Sequence, residues 1–265
     1  MNKFLSVLSL SCRVPIKAPA HFDASRIDLF FPIIGLFPAL LVSGVFALAF
    51  IATKEAAISV IVTLIAQYLC FNLFHLDGLA DTADAFLGTV SKERRLEILK
   101  DSRIGVYGLF AALSVLGLKA ALLAVLLGSP SLNPRALFID MLLLAAYPLS
   151  GRFAGALIPC ISKPARPGGL GALAKDSMLR YAIAGFVFAA CIWGLLITAL
   201  VTLSPSSLPQ TVYASLIALC AGPVSAVFIA RLYTKQVGGY SGDALGCAVE
   251  IAELLHLCII TIVVR

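Results

Sequence analysis

The sequence contains few charged residues. Only 13% of its 265 residues are Asp, Glu, Lys or Arg, whereas 60% are hydrophobic. Charged residues make up about 25% of an ordinary soluble domain. Together with a mean hydropathy of +1.01, this shortage predicts that a lipid bilayer is the main solvent of the chain.

The motifs of soluble nucleotide-binding proteins and of metalloproteases are missing as well. The chain has no G-x-x-x-x-G-K-[ST] run and no H-E-x-x-H sequence, and its three histidines are far apart. Its seven cysteines show no C-x-x-C spacing and lie mostly in or beside apolar segments. We therefore expect no P-loop and no zinc site, and we interpret the cysteines as packing residues.

Seven apolar windows are long enough to cross a bilayer, which takes about 20 residues of helix. We predict an all-α, polytopic integral membrane bundle, with residues 1–265 forming one domain because no long polar linker divides them. The short apolar run Phe4–Leu10 is interpreted as an interfacial amphipathic segment. The predicted spans are Leu29–Ala52, Ala56–Phe74, Val106–Leu127, Ala136–Ile158, Tyr181–Leu203, Thr211–Ala230 and Ala244–Val264.

Basic residues are distributed unevenly over the loops between these spans. Cytoplasmic loops are enriched in Lys and Arg, so the pattern predicts a cytoplasmic N-terminus and a C-terminus on the other side. The net charge of +6 is then an orientation signal, and no nucleic-acid partner is needed to explain it. The predicted inside set is Lys3, Arg13, Lys17, Arg26, Lys92, Arg94, Arg95, Lys100, Arg103, Lys163, Arg166, Lys175, Arg180, Arg231 and Lys235, and the outside set is Lys54, Arg135 and Arg265.

An acidic motif, HLDGLADTAD, follows the second span. On a helix, Asp81 lies about 40° round from Asp77 and Asp84 about 20° the other way, so the three carboxylates share one face. Oxygen ligands of this kind suit Mg²⁺, which is usually held by a few carboxylates together with water and substrate phosphates. We predict a Mg²⁺–diphosphate site; the alternative is a solvated acidic turn, which would not require small residues between the acids.

A second polar string, KDSRIG, precedes the third span. Asp101 is a candidate fourth metal ligand, and Lys100 and Arg103 are candidates for binding phosphate oxygens. For Arg103, a phosphate contact and ordinary positive-inside flanking explain the sequence about equally well. Arg166, in the basic Gly/Pro-rich loop after the fourth span, is a further candidate for a phosphorylated ligand, although a plain turn would look similar.

A third string, GGYSGDALG, opens the last span. Asp243 is predicted to contact substrate, and Glu250 lies one heptad further on the same face, followed by Glu253. Carboxylates inside a span are costly unless they face a polar cavity or a partner. Glu250 is therefore a candidate substrate-binding residue, and the alternative for both glutamates is pairing with Arg152 or Lys119. His75 falls on the face opposite the acidic triad and is either a general base or an interface residue.

These strings together resemble the signature of the cobalamin synthase family. The resemblance rests on FHLDGLADTAD, KDSRIG and GGYSGD with the following Leu245 and Gly246, and it extends to Arg13-Val14-Pro15 and to Arg166 with the Gly-Leu-Gly after it. It implies a multi-pass enzyme of the bacterial inner membrane with a cytoplasmic active site. The implied reaction joins adenosylcobinamide-GDP to α-ribazole or α-ribazole 5′-phosphate with Mg²⁺ and releases GMP.

The resemblance implies a role for each candidate residue. Asp77, Asp81, Asp84 and Asp101 would be catalytic and metal-binding, while Lys100, Arg103, Arg166, Asp243 and Glu250 would bind substrate. The base that accepts the proton of the attacking hydroxyl is left open between a carboxylate of the triad and Asp243. The oligomeric state is also left open, a homo-oligomer included.

Two other classes of membrane protein fit parts of the sequence. A CDP-alcohol phosphotransferase also uses aspartates on a diphosphate, but its motif has Arg where this chain has Asp81. A cation-coupled transporter would use intramembrane charges, of which Asp140, Glu250 and Glu253 are examples. The richest acidic motif lies at the cytoplasmic interface and not at the midplane, which favours the enzyme.

Overall fold

The computed structural model describes residues 2–14, 21–128, 134–201 and 208–264. Within these ranges, the side chains of residues 134–136, 138–145, 170, 197, 199–201 and 208–212 are outside the description. Predictions made for Pro15, Lys17, Arg135, Asp140 and Arg265 therefore fall outside it too.

The described residues form twelve α-helices, a π-helical turn at Tyr68–Asn72 and a 3-10 turn at Leu170–Ala174, with no strand among them. The helices are α1 (Asn2–Ser11), α2 (Ile27–Ile34), α3 (Leu36–Thr53), α4 (Ala56–Gln67), α5 (Leu73–Phe86), α6 (Lys92–Ile98), α7 (Val106–Leu126), α8 (Pro134–Ile161), α9 (Leu179–Val201), α10 (Leu208–Ala218), α11 (Ala221–Val237) and α12 (Gly242–Val264).

Six helical stretches in the described part of the chain are long and apolar enough to cross a membrane. They confirm the predicted all-α, polytopic membrane bundle. The remaining predicted span, Ala136–Ile158, lies within α8, whose side chains are described only in part, so the count of seven and the cytoplasmic N-terminus stay predictions. The six stretches are Ile27–Thr53, Ala56–Phe86, Val106–Leu126, Leu179–Leu196, Tyr213–Val237 and Gly242–Val264.

The second membrane helix is longer than its apolar pattern indicated. Hydropathy ended this span at Phe74, but the helix continues through the π-helical turn to Phe86, over 31 residues. At 1.5 Å per residue, such a helix is about 46 Å long, whereas the hydrocarbon core is about 30 Å thick. The acidic motif therefore lies on the end of the helix that extends past its apolar part.

Helix α12 lies at the centre of the bundle and packs against α5, α8, α10 and α11. Its crossing with α5 brings the two backbones into contact: a Cβ added to Gly78 would stand 2.8 Å from the carbonyl oxygen of Asp243, and one added to Gly246 would stand 3.0 Å from the Cα of His75. Small residues at such crossings let membrane helices approach closely. The crossing places the start of α12 beside the acidic motif of α5.

We predict that Gly78→Ala destabilises the bundle, although alanine is the better helix former. The new methyl group would meet the α12 backbone, which cannot move aside as a flexible side chain can, at a cost of about 1–3 kcal/mol. Gly117→Ala in α7 is the matched control, because nothing lies within 4 Å of its Cβ position, and it should be neutral or gain up to about 1 kcal/mol. Thermal unfolding in detergent tests both; equal melting temperatures for the two variants would contradict the crossing.

Candidate active site at the polar end of the bundle

The acidic face of α5 meets carboxylates from two other segments. Asp81 is half-buried, and its carboxylate lies close enough to those of Asp243, Asp77, Asp84 and Asp101 to be repelled by each of them. Like charges at this spacing raise one another's energy unless a cation compensates them. The site therefore concentrates negative charge where α5, α12 and the loop before α7 converge.

Asp84 has a structural role within this group. Its Oδ2 accepts a hydrogen bond of 2.7 Å from the backbone N–H of Gly105, and its Oδ1 accepts one of 2.8 Å from Gly108. These N–H groups belong to the start of α7, where unsatisfied donors and the helix dipole favour a carboxylate. A Cβ on Gly105 or Gly108 would collide with the Asp84 carboxylate, so both glycines are needed for this contact. Asp84 thus fixes α7 against α5.

Asp101 and Arg103 pair with each other at the edge of the site. The Arg103 Nε donates to both carboxylate oxygens of Asp101, at 2.9 and 3.1 Å, and Nη2 donates to Oδ2 at 2.5 Å. The hydrogen bonds from Arg103 lower the pKa of Asp101 to about 2, which keeps this carboxylate ionised. Because the Arg103 side chain is 84% exposed, the pair contributes little to stability and can exchange for a phosphate contact.

The Gly/Pro-rich loop after α8 is bound to the loop before α12 by backbone hydrogen bonds. Tyr240 N–H donates to the Lys163 carbonyl at 2.9 Å, and Ala165 N–H donates to the Tyr240 carbonyl at 2.8 Å, which forms a single parallel bridge. A Cβ on Gly239 would stand 2.3 Å from the Lys163 oxygen. The loop that carries Arg166 is therefore anchored and is more than an ordinary turn.

Between these two loops lies a cavity of about 180 Å³. Arg166 and Asp243 both line it, close enough to interact electrostatically. Asp243 is oriented by Ser241, whose hydroxyl donates to Oδ2 at 2.9 Å, and the Tyr240 hydroxyl donates to the Gly171 carbonyl at 3.0 Å. Burial raises the pKa of Tyr240 to about 12, so it is a neutral donor. The cavity therefore brings Arg166 next to Asp243, a member of the acidic cluster.

The donor chemistry of the cluster fits Mg²⁺. In the part of the chain that the structure describes, no three of its side chains converge as a preformed metal cage, and no ion pair compensates Asp77, Asp81 or Asp243. Mg²⁺ commonly binds through one or two carboxylates, with waters and substrate phosphates completing its shell. The carboxylates of this cluster suit Mg²⁺ binding shared with water and substrate phosphates, and not a site in which the protein supplies every ligand.

The structure places Glu250 and Glu253 in a buried polar network. Both side chains are fully buried, and the Lys119 Nζ donates to each at 2.7 Å. Arg152 Nη1 donates to Glu253 as well. The pairing alternative considered for these glutamates is therefore present in the fold, whereas direct substrate binding by Glu250 remains an untested prediction.

The other predicted residues are placed as follows. Lys100 is exposed beside Asp101. His75 is buried, with its ring 5.7 Å from that of Phe31 and 6.2 Å from that of Phe74. Neither of its ring nitrogens has a hydrogen-bond partner among the described residues. This buried environment argues against His75 as a general base, and its interface alternative stays a prediction.

Several residues around the site were not predicted from the sequence. Ser241 and Tyr240, read only as part of a glycine-rich string, orient Asp243 and join the two loops. Gln67 and Asn72, which hold the buried glutamates, are polar residues inside an apolar span. That position was the signal that could have identified them, because a buried amide needs a partner in lipid.

Comparison with known proteins gives one consistent result. A family profile for cobalamin-5-phosphate synthase matches residues 3–261. A protein of Azorhizobium caulinodans named adenosylcobinamide-GDP ribazoletransferase is 35% identical, over 98% of this chain and 95% of its own length. Proteins of the same name from Shewanella amazonensis and Clostridioides difficile are 32% and 29% identical, over 96% and 100% of this chain and 93% and 98% of their own. No solved structure shows a significant match.

We predict that Asp84→Ala lowers the stability of the protein, because it removes the carboxylate that satisfies two N–H groups at the start of α7. Loss of a helix cap of this kind costs about 1–2 kcal/mol. Asp77→Ala is the matched control: Asp77 is exposed on the same helix face, and its removal relieves repulsion with Asp81. Thermal unfolding in detergent should show a lower melting temperature for Asp84→Ala and an unchanged one for Asp77→Ala. An equal decrease of the melting temperature in both variants would contradict the capping role.

Proposed function

The chain belongs to the cobalamin-5-phosphate synthase family, and on that premise we propose that it is an adenosylcobinamide-GDP ribazoletransferase. One observation carries this proposal from the structure: the α5 carboxylates lie close to Asp243 of α12, which lines a cavity together with Arg166 at the polar end of the bundle. Acidic groups next to a cation at one site are what a reaction on a diphosphate requires.

The proposed reaction is a displacement at phosphorus. A ribose hydroxyl of α-ribazole, or of its 5′-phosphate, attacks the phosphorus attached to cobinamide in adenosylcobinamide-GDP. The bond from that phosphorus to the bridging oxygen breaks, and GMP leaves with the bonding electrons. The hydroxyl loses its proton, and the product is adenosylcobalamin or its 5′-phosphate.

The cations around the site bind the diphosphate in this proposal. Arg166, on the anchored loop, faces the cavity and contacts phosphate oxygens. Arg103 exchanges its pairing with Asp101 for a phosphate contact when the donor binds, and Lys100 contributes from the exposed rim. Guanidinium groups suit this task because their planar fork matches two phosphate oxygens at once.

Asp77 and Asp81, with Asp84 and Asp101 at the two sides, would hold Mg²⁺. When bound, Mg²⁺ supplies positive charge that offsets the charge developing on the departing phosphate. Asp77 is the exposed member of the triad and Asp81 is half-buried, so these two present oxygens toward the space in front of α5. Asp84 keeps its two hydrogen bonds to α7 and acts mainly by fixing the geometry.

Asp243 is the group that we propose as proton acceptor. It lines the cavity beside Arg166 and is oriented by Ser241, whereas Asp84 and Asp101 are already engaged in hydrogen bonds. A general base must lie within hydrogen-bond reach of the proton it removes. A hydroxyl held in the cavity between Arg166 and Asp243 meets that requirement.

We further propose that this end of the bundle faces the cytoplasm of a bacterial cell, across the inner membrane. The loops that build the site carry Lys100, Arg103, Lys163 and Arg166, all of which belong to the predicted inside set. The proposed substrates are large and charged, so a site on this face would bind them from the cytoplasm without their transfer across the bilayer.

The proposal is tested with purified protein in liposomes, adenosylcobinamide-GDP and α-ribazole 5′-phosphate, by measuring GMP release with and without Mg²⁺. We expect Mg²⁺-dependent GMP and an equal amount of a cobalamin product. Asp81→Asn, which removes the charge at constant shape, should reduce kcat by about 100-fold or more.

Glu97→Gln is the matched control, because Glu97 is an exposed carboxylate on α6 that pairs with Arg94 outside the site. It should retain wild-type kcat. GMP release that is unaffected by Asp81→Asn, or no product from folded wild type, would rule out the proposed chemistry.

A further inference from the structure

The buried polar network lies in the membrane-spanning part of the bundle, away from the reacting groups. It joins four helices and the π-helical turn, and every side chain in it is fully or almost fully buried. Two glutamates are balanced by one lysine and one arginine, so the network has no net charge. Its members are Gln67, Tyr68, Asn72, Lys119, Tyr147, Arg152, Glu250 and Glu253.

The contacts of the network concentrate on the π-helical turn. Tyr68 donates to Glu250 at 2.6 Å, and Asn72 donates to Glu250 at 2.9 Å and to Glu253 at 3.0 Å. Arg152 Nη2 donates to the Asn72 side-chain oxygen at 2.7 Å and to the Phe71 carbonyl at 3.3 Å. Arg152 therefore binds the side chain and the backbone of the turn together with Glu253 of α12.

A π-helical turn has a geometric consequence for the residues that follow it. It contains one residue more than the α-helical path, which changes the rotational phase of the helix after it by about 100°. Asp77, Asp81 and Asp84 all follow the turn on the same continuous helix. The direction in which their side chains point relative to the rest of the bundle consequently depends on the turn keeping its π-helical form.

The same network also fixes α12. Glu250 lies seven residues after Asp243, about 10 Å along the helix, with no break in α12 between them. Continuous helix therefore connects the α5 carboxylates to this network of buried hydrogen bonds, and continuous helix also connects Asp243 of α12 to it.

We propose that the network is a positioning device for the active site: it holds the π-helical turn against α12 and thereby sets the angle at which the α5 carboxylates face Asp243. Arg152 and Asn72 are its positioning residues. The inference rests on the proposed function: its catalytic readout needs the proposed reaction, whereas its metal-binding readout needs only the proposed metal site at the α5 carboxylates.

Two variants test the device without changing its net charge. Arg152→Lys keeps the positive charge but loses the planar fork that reaches the turn and Glu253 together, and Arg and Lys are not equivalent at such sites. Asn72→Ala removes the hydrogen bonds from Asn72 to both glutamates and leaves the one from Tyr68 to Glu250. Ser150→Ala is the matched control, because the Ser150 hydroxyl makes a buried 2.8 Å hydrogen bond with His256 between the same two helices, α8 and α12, and this bond does not involve the π-helical turn.

Three quantities are measured for each variant: the melting temperature in detergent, kcat for GMP release, and the Mn²⁺ concentration that half-saturates the protein in an electron paramagnetic resonance titration. We expect Arg152→Lys and Asn72→Ala to remain folded, to lower kcat about 10- to 100-fold, and to raise the half-saturating Mn²⁺ concentration by a similar factor, as residues supporting metal ligands do. Ser150→Ala should stay within about twofold of wild type.

The opposite results would overturn the proposal. Folded Arg152→Lys and Asn72→Ala with wild-type kcat and Mn²⁺ affinity would reduce the network to a packing feature. Equal losses of kcat and Mn²⁺ affinity in Ser150→Ala would show that any buried polar contact between α8 and α12 has the same effect. If Arg152→Lys and Asn72→Ala both failed to fold while Ser150→Ala folded, the network would be required for folding and would not be a positioning device. If wild type binds Mn²⁺ but releases no GMP, the proposed reaction fails and the Mn²⁺ comparison still decides this inference.

Discussion

The constraint on which the structure depends is the lack of water in the bilayer to solvate the side chains buried between the helices. Lys119, Arg152, Glu250 and Glu253 are fully buried among membrane-spanning helices, where an unpaired charge would cost several kcal/mol. Each must find its partners within the protein. Those partners come from α4, the π-helical turn, α7, α8 and α12, so satisfying the charges also determines how these helices are arranged.

This arrangement carries over to the polar end of the bundle. Helix α12 continues from the buried glutamates to Asp243, and α5 continues from the π-helical turn to the acidic motif. Gly78 lets the two helices meet at backbone distance where the acids begin. Asp84 then binds the start of α7, and the anchored loop adds Arg166. The site is thus built from four segments that are distant in sequence but supported by a common interior.

Part of this architecture could be predicted from the sequence and part could not. Hydropathy and helical periodicity are local signals, so they predicted the membrane bundle and placed Asp77, Asp81 and Asp84 on one face. The need of buried glutamates for partners also singled out Arg152 and Lys119 as candidates. The π-helical turn, the capping of α7 by Asp84 and the bridge between Pro164 and Tyr240 depend on contacts between distant segments. No local pattern indicates such contacts.

The most direct measurement of the central claim is the position of a bound metal. Crystals of the protein grown with Mn²⁺ and an unreactive GDP-linked analogue of the donor would locate the ion by its anomalous scattering. The account predicts a peak in front of α5, coordinated by Asp77 and Asp81 and by the analogue's phosphates, with Asp243 across the cavity. A peak at Glu250 and Glu253, or phosphates bound away from the α5 carboxylates, would contradict it.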